Sequence, residues 1–312
     1  PWKGARQIAS PLCRQFTKFF RLFLNVSPRF HYVYCLCFLI WLFFTVTLSP
    51  ALGLETMKKV GMAILLMMAA FLGLSSCADA AVKRFKAVVV REYPHDETSY
   101  TQGLFFNDGR LYESTGQKGE SKFREVDLVS GKPVRNLNFA NKYFAEGSVM
   151  LDGELFILTW TNRVAFVYDA ATLQYKQAYR YTREGWGLTT DGTQLIASDG
   201  SSKLYFMDKK FNVQRTVVAR MDGKAVKYLN ELEYIDGKIW ANVYTTDTIL
   251  IINPADGRVE ATVDCTGLLP DKLRDDNTDV LNGIAYNPEN KKTYLTGKYW
   301  KRLYEIKLEE IK

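Results

Sequence analysis

Beyond residue 77 the sequence holds one histidine, His95, one cysteine, Cys265, and no long segment with helical periodicity. Each absence removes a class of protein. Without a second histidine or a cysteine pair, the usual zinc ligand sets cannot be assembled. A lone cysteine forms no internal disulfide, and a buried, inert thiol is the expectation for Cys265. A serine triad would have to take His95 as its base. Calcium stays open, because Asp199 and several asparagines offer oxygen ligands. Charge of one sign is lacking too. Residues 1–77 carry eight Lys/Arg and one acidic residue, Glu55, and the rest carries 33 of each sign. The overall net charge of +7 therefore belongs to the leading segment and gives no reason to expect nucleic acid as a partner.

That leading segment has its own pattern. Met57-Lys58-Lys59, an apolar run from Val60 to Leu74, and Ser75-Ser76-Cys77 form a basic start, an apolar middle and a small-residue cleavage site. Leu74-Ser75-Ser76-Cys77 resembles a bacterial lipobox, in which Cys77 is lipidated and becomes the mature N-terminus. An ordinary secretory signal is the plainer alternative. Residues 57–77 are thus expected to be a lipoprotein signal peptide, and the protein an exported lipoprotein of the bacterial cell envelope, facing the periplasm or anchored in the outer membrane. The uncharged stretch His31–Leu54 is long enough to cross a bilayer. It reads either as a transmembrane segment or as sequence upstream of a start at Met57. The second reading is favoured because a complete signal begins afresh there, so residues 1–56 are expected to be absent from the mature protein. Residues 78–84 read as a linker and 85–312 as one domain, with contact to the membrane through the lipid anchor only.

Within 85–312 one pattern recurs five times. Its copies begin Thr101-Gln102-Gly103-Leu104, Ala145-Glu146-Gly147-Ser148, Gly185-Trp186-Gly187-Leu188, Leu229-Asn230-Glu231-Leu232 and Leu281-Asn282-Gly283-Ile284, spaced 44, 40, 44 and 52 residues apart. Each opens a strand that leads to a turn, such as Asp108-Gly109, Asp152-Gly153, Asp191-Gly192 or Asp236-Gly237, and then to further short alternating strands. Repeats of this length built from strands predict an all-β fold, a five-bladed β-propeller. The last repeat has room for three strands only. Phe85–Arg91 has strand composition and no partner of its own, so it is expected to close the ring by joining the last blade.

Equivalent positions of a propeller face one channel. The residues before each glycine, or before Glu231, are therefore predicted to converge: Gln102, Glu146, Trp186, Asn230 and Asn282. Among them only Glu146 can transfer a proton near neutral pH. A second set lies 12 to 15 positions after each copy's glycine, or after Glu231: Trp160, Asp199, Tyr244 and Lys298, with Gly116 in the first copy. Tyr143 and Phe144 precede Glu146, and Trp300 follows Lys298. One carboxylate, one amine, several amides and an aromatic wall suit a neutral, amide-like ligand. Apolar walls would raise the proton affinity of Glu146 into the range of a general acid–base. Lys298, Gln102, Asn230 and Asn282 can donate to an oxyanion.

The same motifs, from Tyr100-Thr101-Gln102-Gly103-Leu104 through Phe144-Ala145-Glu146-Gly147, Glu184-Gly185-Trp186-Gly187-Leu188 and Leu229-Asn230-Glu231-Leu232-Glu233 to Thr296-Gly297-Lys298, resemble the glutaminyl cyclases of the plant and bacterial type over nearly all of residues 85–308. The resemblance implies a five-bladed propeller. It implies conversion of an N-terminal glutamine of peptides or proteins to pyroglutamate, with release of ammonia, and no metal or other cofactor. Glu146 matches the family's essential glutamate, and Gln102, Trp160, Trp186, Asn230 and Lys298 match its other channel residues. Tyr244 stands where plant members tend to have Trp. The catalytic set is then Glu146, Lys298 and Asn230, with Gln102, Phe144, Trp160, Trp186, Tyr244 and Asn282 binding substrate. The partner is a peptide or protein with N-terminal Gln, the enzyme a monomer.

Plainer readings stand beside these. Glu146 is a solvated loop carboxylate, Lys298 an exposed strand-end amine and Asp199 a turn residue bonded to its own backbone. Trp240 is read as packing between blades, Glu231 and Glu233 as lesser candidate bases, and Glu184 as a neighbour of the channel mouth. A propeller that binds peptide termini without turnover is the alternative of a different class. It would not need the titratable pair Glu146 and Lys298. A metal-dependent propeller hydrolase would need clustered acidic ligands.

Overall fold

The computed structural model describes residues 81–311. The signal segment with Cys77, the stretch His31–Leu54 and the first residues of the linker lie outside the described residues. A first strand, β1 (Lys83–Pro94), precedes four strand groups in chain order. Group I holds β2 (Thr101–Asn107), β3 (Arg110–Thr115), β4 (Lys122–Val126) and β5 (Pro133–Asn138). Group II holds β6 (Ala145–Leu151), β7 (Glu154–Thr159), β8 (Val164–Asp169) and β9 (Tyr175–Arg180). Group III holds β10 (Leu188–Thr190), β11 (Leu195–Ala197), β12 (Lys203–Met207) and β13 (Val213–Val218), followed by a small ribbon, β14 (Arg220–Met221) and β15 (Lys224–Ala225). Group IV holds β16 (Leu229–Ile235), β17 (Lys238–Val243), β18 (Thr248–Ile252) and β19 (Val259–Asp264). A 3-10 turn, Asp271–Leu273, leads to β20 (Leu281–Asn287), β21 (Lys292–Gly297) and β22 (Arg302–Glu310). These last three strands and β1 make group V. Groups I to IV and the run β20–β22 are antiparallel meanders, as their tight turns require. Asp108-Gly109, Asp152-Gly153 and Asp236-Gly237 each place both residues at positive φ, which matches the twist of a two-residue hairpin.

The first strands β2, β6, β10, β16 and β20 touch one another in sequence, and β20 returns to β2. Apolar side chains then fill the space between neighbouring groups rather than within one layer. Phe105, Tyr112 and Phe123 meet Leu155 and Ile157 between groups I and II. Phe156 and Leu158 meet Leu195 and Met207 between II and III, and Phe206 meets Leu232 and Leu250 between III and IV. Trp240, Ile249 and Val263 meet Leu295 and Tyr304 between IV and V, so Trp240 packs between neighbouring groups as expected. Tyr93, Tyr294 and Leu303 meet Leu104 and Leu111, which joins V back to I.

β1 pairs antiparallel with β22 from Phe85↔Glu310 to Pro94↔Arg302 and so completes the last group. It starts two residues before the expected domain boundary. It also pairs in parallel with β19 over Lys83–Lys86, which the sequence did not foretell. One eight-stranded sheet thus runs through groups IV and V, and two sheet edges are covered by one strand.

Candidate active site

The repeated motif owes its geometry to a slip in register. Pairing of the first strand with the second skips between Thr101 and Gly103, Ala145 and Ser148, Leu229 and Leu232, and Leu281 and Ile284. Such a bulge bends the strand and re-aims the residue inside it. In group III the strand starts only at Leu188, and Trp186 precedes it, held by its N–H to the Ser198 carbonyl at 3.2 Å. The glycines follow from crowding. A Cβ on Gly187 would overlap the Asn230 carbonyl oxygen, and one on Gly147 would overlap the backbone of Trp186 and Leu188. In the fourth copy the place is taken by Glu231. Its carboxylate accepts the N–H groups of Leu104 at 3.2 Å and Ile284 at 2.9 Å, tying β16 to two other inner strands.

The second set sits on the same rim for a backbone reason. Gly116, Trp160, Tyr244 and Lys298 each follow the last residue of a second strand. Their N–H groups donate to the carbonyls of Tyr100 (2.8 Å), Phe144 (3.0 Å), Tyr228 (2.8 Å) and Val280 (2.9 Å), at or just before the start of the inner strand. Strand ends and bulges thereby enclose a cavity of about 310 Å³. Of the nine predicted catalytic and substrate-binding residues, eight line it: Gln102, Phe144, Glu146, Trp160, Trp186, Asn230, Tyr244 and Lys298. Tyr100 and Gln117 complete it. A larger, mainly polar cavity of about 360 Å³ beside Thr245, Asp247 and Asp279 holds none of the predicted residues.

Glu146 is 4% exposed, and among the described residues its carboxylate has neither an ion-pair partner within 4 Å nor a hydrogen-bond donor. Burial pushes its pKa well above the ordinary 4.5; the Lys298 charge opposes this and the Glu184 charge adds to it. Burial lowers the pKa of Lys298, against the pull of Glu146 and Asp279. The Lys298 Nζ lies 4.4 Å from the centre of the Tyr100 ring and 4.9 Å from that of Tyr244, so two aromatic faces hold the cation. The rest of the wall is edge-to-face: Tyr100 against Phe144, Phe144 against Trp160, and Trp186 against Tyr244. Asn230 leaves its buried Oδ1 without a protein partner. This cavity holds one carboxyl with raised proton affinity, one cation and three amides, Gln102, Gln117 and Asn230, between aromatic faces. It can move a proton and stabilise a developing negative oxygen.

Several expectations shift. Asn282 does not line the cavity. It is fully buried, and because β20 lies directly against β2 its Nδ2 donates to the Thr101 carbonyl (2.9 Å) and to Gln102 Oε1 (3.2 Å). That bond uses the oxygen of Gln102 and leaves the amide N–H groups as what Gln102 offers the cavity. Tyr143 turns away to pack on Phe166, and Trp300 is a core residue whose Nε1 donates to the Asp279 carbonyl. Asp199 accepts from the Ser201 N–H and the Tyr205 hydroxyl, a turn residue rather than a cavity residue. Glu233 accepts the Tyr286 N–H, and burial raises it to about 8. Cys265 is buried, which pushes its thiol up. His95 donates from Nδ1 to the Trp300 carbonyl and from Nε2 to Glu113, within a buried ionic network that includes Arg124. Among the described residues no three His, Cys, Asp or Glu side chains gather as a metal site. Sequence reasoning had passed over Tyr100 and Gln117 as cavity residues. Tyr100 opens the first motif and was visible there; Gln117, at φ 83°, gave no signal.

Residues 62–308 match the family model of glutamine cyclotransferase. The chain belongs to the glutamine cyclotransferase family. Over 227 residues, 71% of each chain, it is 40% identical to a glutaminyl-peptide cyclotransferase of Arabidopsis thaliana. Its structure is similar to the crystal structure of Myxococcus xanthus glutaminyl cyclase, with a TM-score of 0.69, 34% identity, and coverage of 74% of this chain and 100% of that one. Membership of the glutamine cyclotransferase family agrees with the order of motifs, all of which fall inside the matched range.

Proposed function

We propose that this cavity cyclises the N-terminal glutamine of peptides and proteins to pyroglutamate with release of ammonia. The observation that carries the reading is Glu146, a buried carboxyl without a partner among the described residues, in one cavity with a cation and three amides. The substrate's α-amine, as the free base, attacks its own side-chain Cδ. The new N–Cδ bond forms while Glu146 takes one proton from the amine. The carbonyl oxygen becomes an oxyanion, which Lys298 and the N–H groups of Gln102 and Asn230 stabilise. Glu146 then returns the proton to the side-chain nitrogen, the Cδ–N bond breaks and ammonia leaves. Raised proton affinity suits a group that must both take and give back a proton near neutral pH. The attack is intramolecular, so much of the acceleration comes from holding the folded-back conformer against the aromatic wall. A cavity near the lower end of the roughly 300–1,000 Å³ range of ligand sites suits one residue, with the peptide leaving through the mouth. Five inner strands in cyclic contact and five clusters between neighbouring strand groups support reading the scaffold as a five-bladed propeller.

The test is ammonia release from a Gln-initiated peptide, with chelator present, by wild type and by Glu146→Gln. Turnover by wild type only is expected. No turnover by wild type would favour a binding module, and full activity of the variant would refute the assigned base. The leader supports a second reading, an envelope lipoprotein anchored through Cys77 and acting as a monomer. Mass spectrometry of the mature N-terminus should find a lipidated Cys77; any peptide from residues 1–50 would defeat it. Sedimentation of the soluble domain checks the monomer.

A further inference from the structure

Two tryptophans face the cavity from different strand groups. Trp160 follows β7 in group II, and Trp186 precedes β10 in group III. Each has an aromatic neighbour of its own, Phe144 for Trp160 and Tyr244 for Trp186. What joins them is Glu184. Its Oε2 accepts the indole N–H of Trp160 at 2.7 Å and that of Trp186 at 3.1 Å. Among the described residues no Lys, Arg or His lies within 4 Å to neutralise it, and Oε1 has no protein donor. The backbone holds the carboxylate in place. The Gly185 N–H donates to the Trp160 carbonyl at 3.5 Å, and a Cβ at Gly185 would overlap the Tyr181 hydroxyl, so the segment lies tight against the end of β7.

A carboxylate oxygen shared by two indoles is costly to arrange unless the relation between the indoles matters. Charge-assisted bonds of this kind are short and directional. We propose that Glu184 is a positioning residue of the cyclisation: one carboxylate oxygen fastens Trp160 and Trp186 to each other and sets the slot in which the glutamine side chain folds back on its own amine. This rests on the cyclisation reading above. It goes beyond that reading by assigning the shape of the slot to a residue outside the cavity lining. The same charge also bears on Glu146 and raises its proton affinity. The groups acting on Glu146 are Lys298, which opposes that effect, and Glu184, which adds to it, with the phenols of Tyr100 and Tyr181 also coupled to it.

The experiment compares wild type, Glu184→Gln and Glu184→Ala in ammonia release from a Gln-initiated peptide and in intrinsic tryptophan fluorescence without substrate. Glu184→Ala frees both indoles. A KM at least tenfold higher and a shifted emission maximum are expected. Glu184→Gln keeps one acceptor oxygen and should restore KM to within about threefold of wild type. It removes the charge beside Glu146, so the acid limb of kcat/KM should move to lower pH, in the direction that relief of like-charge repulsion requires. Should Glu184→Ala fold poorly, Trp160→Phe replaces it: adding Glu184→Gln to Trp160→Phe should then cost less than it costs in wild type. Wild-type KM and emission in Glu184→Ala would overturn the proposal, as would Glu184→Gln matching Glu184→Ala in every readout. If wild type releases no ammonia, the cyclisation reading fails, while the emission shift still decides whether Glu184 fastens the two indoles.

Discussion

Replacing Glu146 by Gln should make the protein more stable at the pH where it destroys its activity. The side chain is 4% exposed, and no described residue pairs with its charge at close range. Burial raises its pKa well above 4.5, so over the interval between those two values the folded protein binds more protons than the unfolded one. Stability then falls as pH rises through that interval, by about 1.4 kcal/mol per pH unit, and stays at the lower level above it. Gln has the same shape and no proton to lose. The influence of Lys298 is already contained in the Glu146 pKa and needs no separate allowance. The variant should therefore match wild type near pH 4 and exceed it in stability at pH 8. In a domain of this size each kcal/mol of that difference is a Tm gain of about 2–4 °C. The buried carboxylates Glu231 and Glu233 titrate alike in both proteins and cancel in the difference. Thermal unfolding of both proteins without substrate, from pH 4 to pH 8, measures it. Ammonia release at pH 8 should fall by about 10²–10⁴-fold, the usual worth of a general acid–base. A Tm difference that does not change with pH, or a wild type more stable at pH 8, would refute the reasoning, because Glu146 would then be ionised and well solvated in the native state.

Three further outcomes follow from packing. Asn282→Ala leaves Gln102 Oε1 and the Thr101 carbonyl without their donor; urea unfolding should show a loss of about 1–3 kcal/mol, and kcat should drop as Gln102 loses its orientation. Gly187→Ala forces a methyl group into the Asn230 carbonyl, which should cost about 1–3 kcal/mol in a thermal melt and lower kcat through displacement of Asn230. Deleting residues 81–90 removes most of β1, uncovers β19 and β22 and takes Ala87 out of a core cluster; broad, non-cooperative unfolding by circular dichroism is expected, and a sharp wild-type melt would contradict the closure.

Much of this was legible because the repeat is written in residues whose reasons are local. Asp-Gly turns demand positive φ, and glycine at the crowded position demands close strands, so both survive as a period that can be read by eye. Glu146, Trp186 and Asn230 inherited their place from that period. What the period does not contain is the neighbour each residue meets. Asn282 sits in a bulge like Gln102, Glu146 and Asn230, but β20 lies against β2, and its amide reaches Gln102 and Thr101 instead of the cavity. Tyr143 adjoins Phe144, and neighbours in extended chain point to opposite sides; Trp300 follows Lys298 by two positions across a turn in which Tyr299 has φ 60°, and it goes to the core. Glu184 was placed near the mouth, yet its bond to two indoles joins residues 24 positions apart on different sheets, which no local pattern encodes.

The pairing of β1 with β22 has a consequence in time. Residues 83–94 leave the ribosome long before residues 302–310 exist, so the strand that completes the ring is the first made and the last placed. During that wait Val88-Val89-Val90 is an open, sticky edge of the kind that seeds aggregation. Its flanks carry Lys83, Arg84, Lys86 and Arg91, a cluster of like charge that keeps two such strands from meeting. The strand that closes the finished molecule is thus equipped to stay single until its partner arrives.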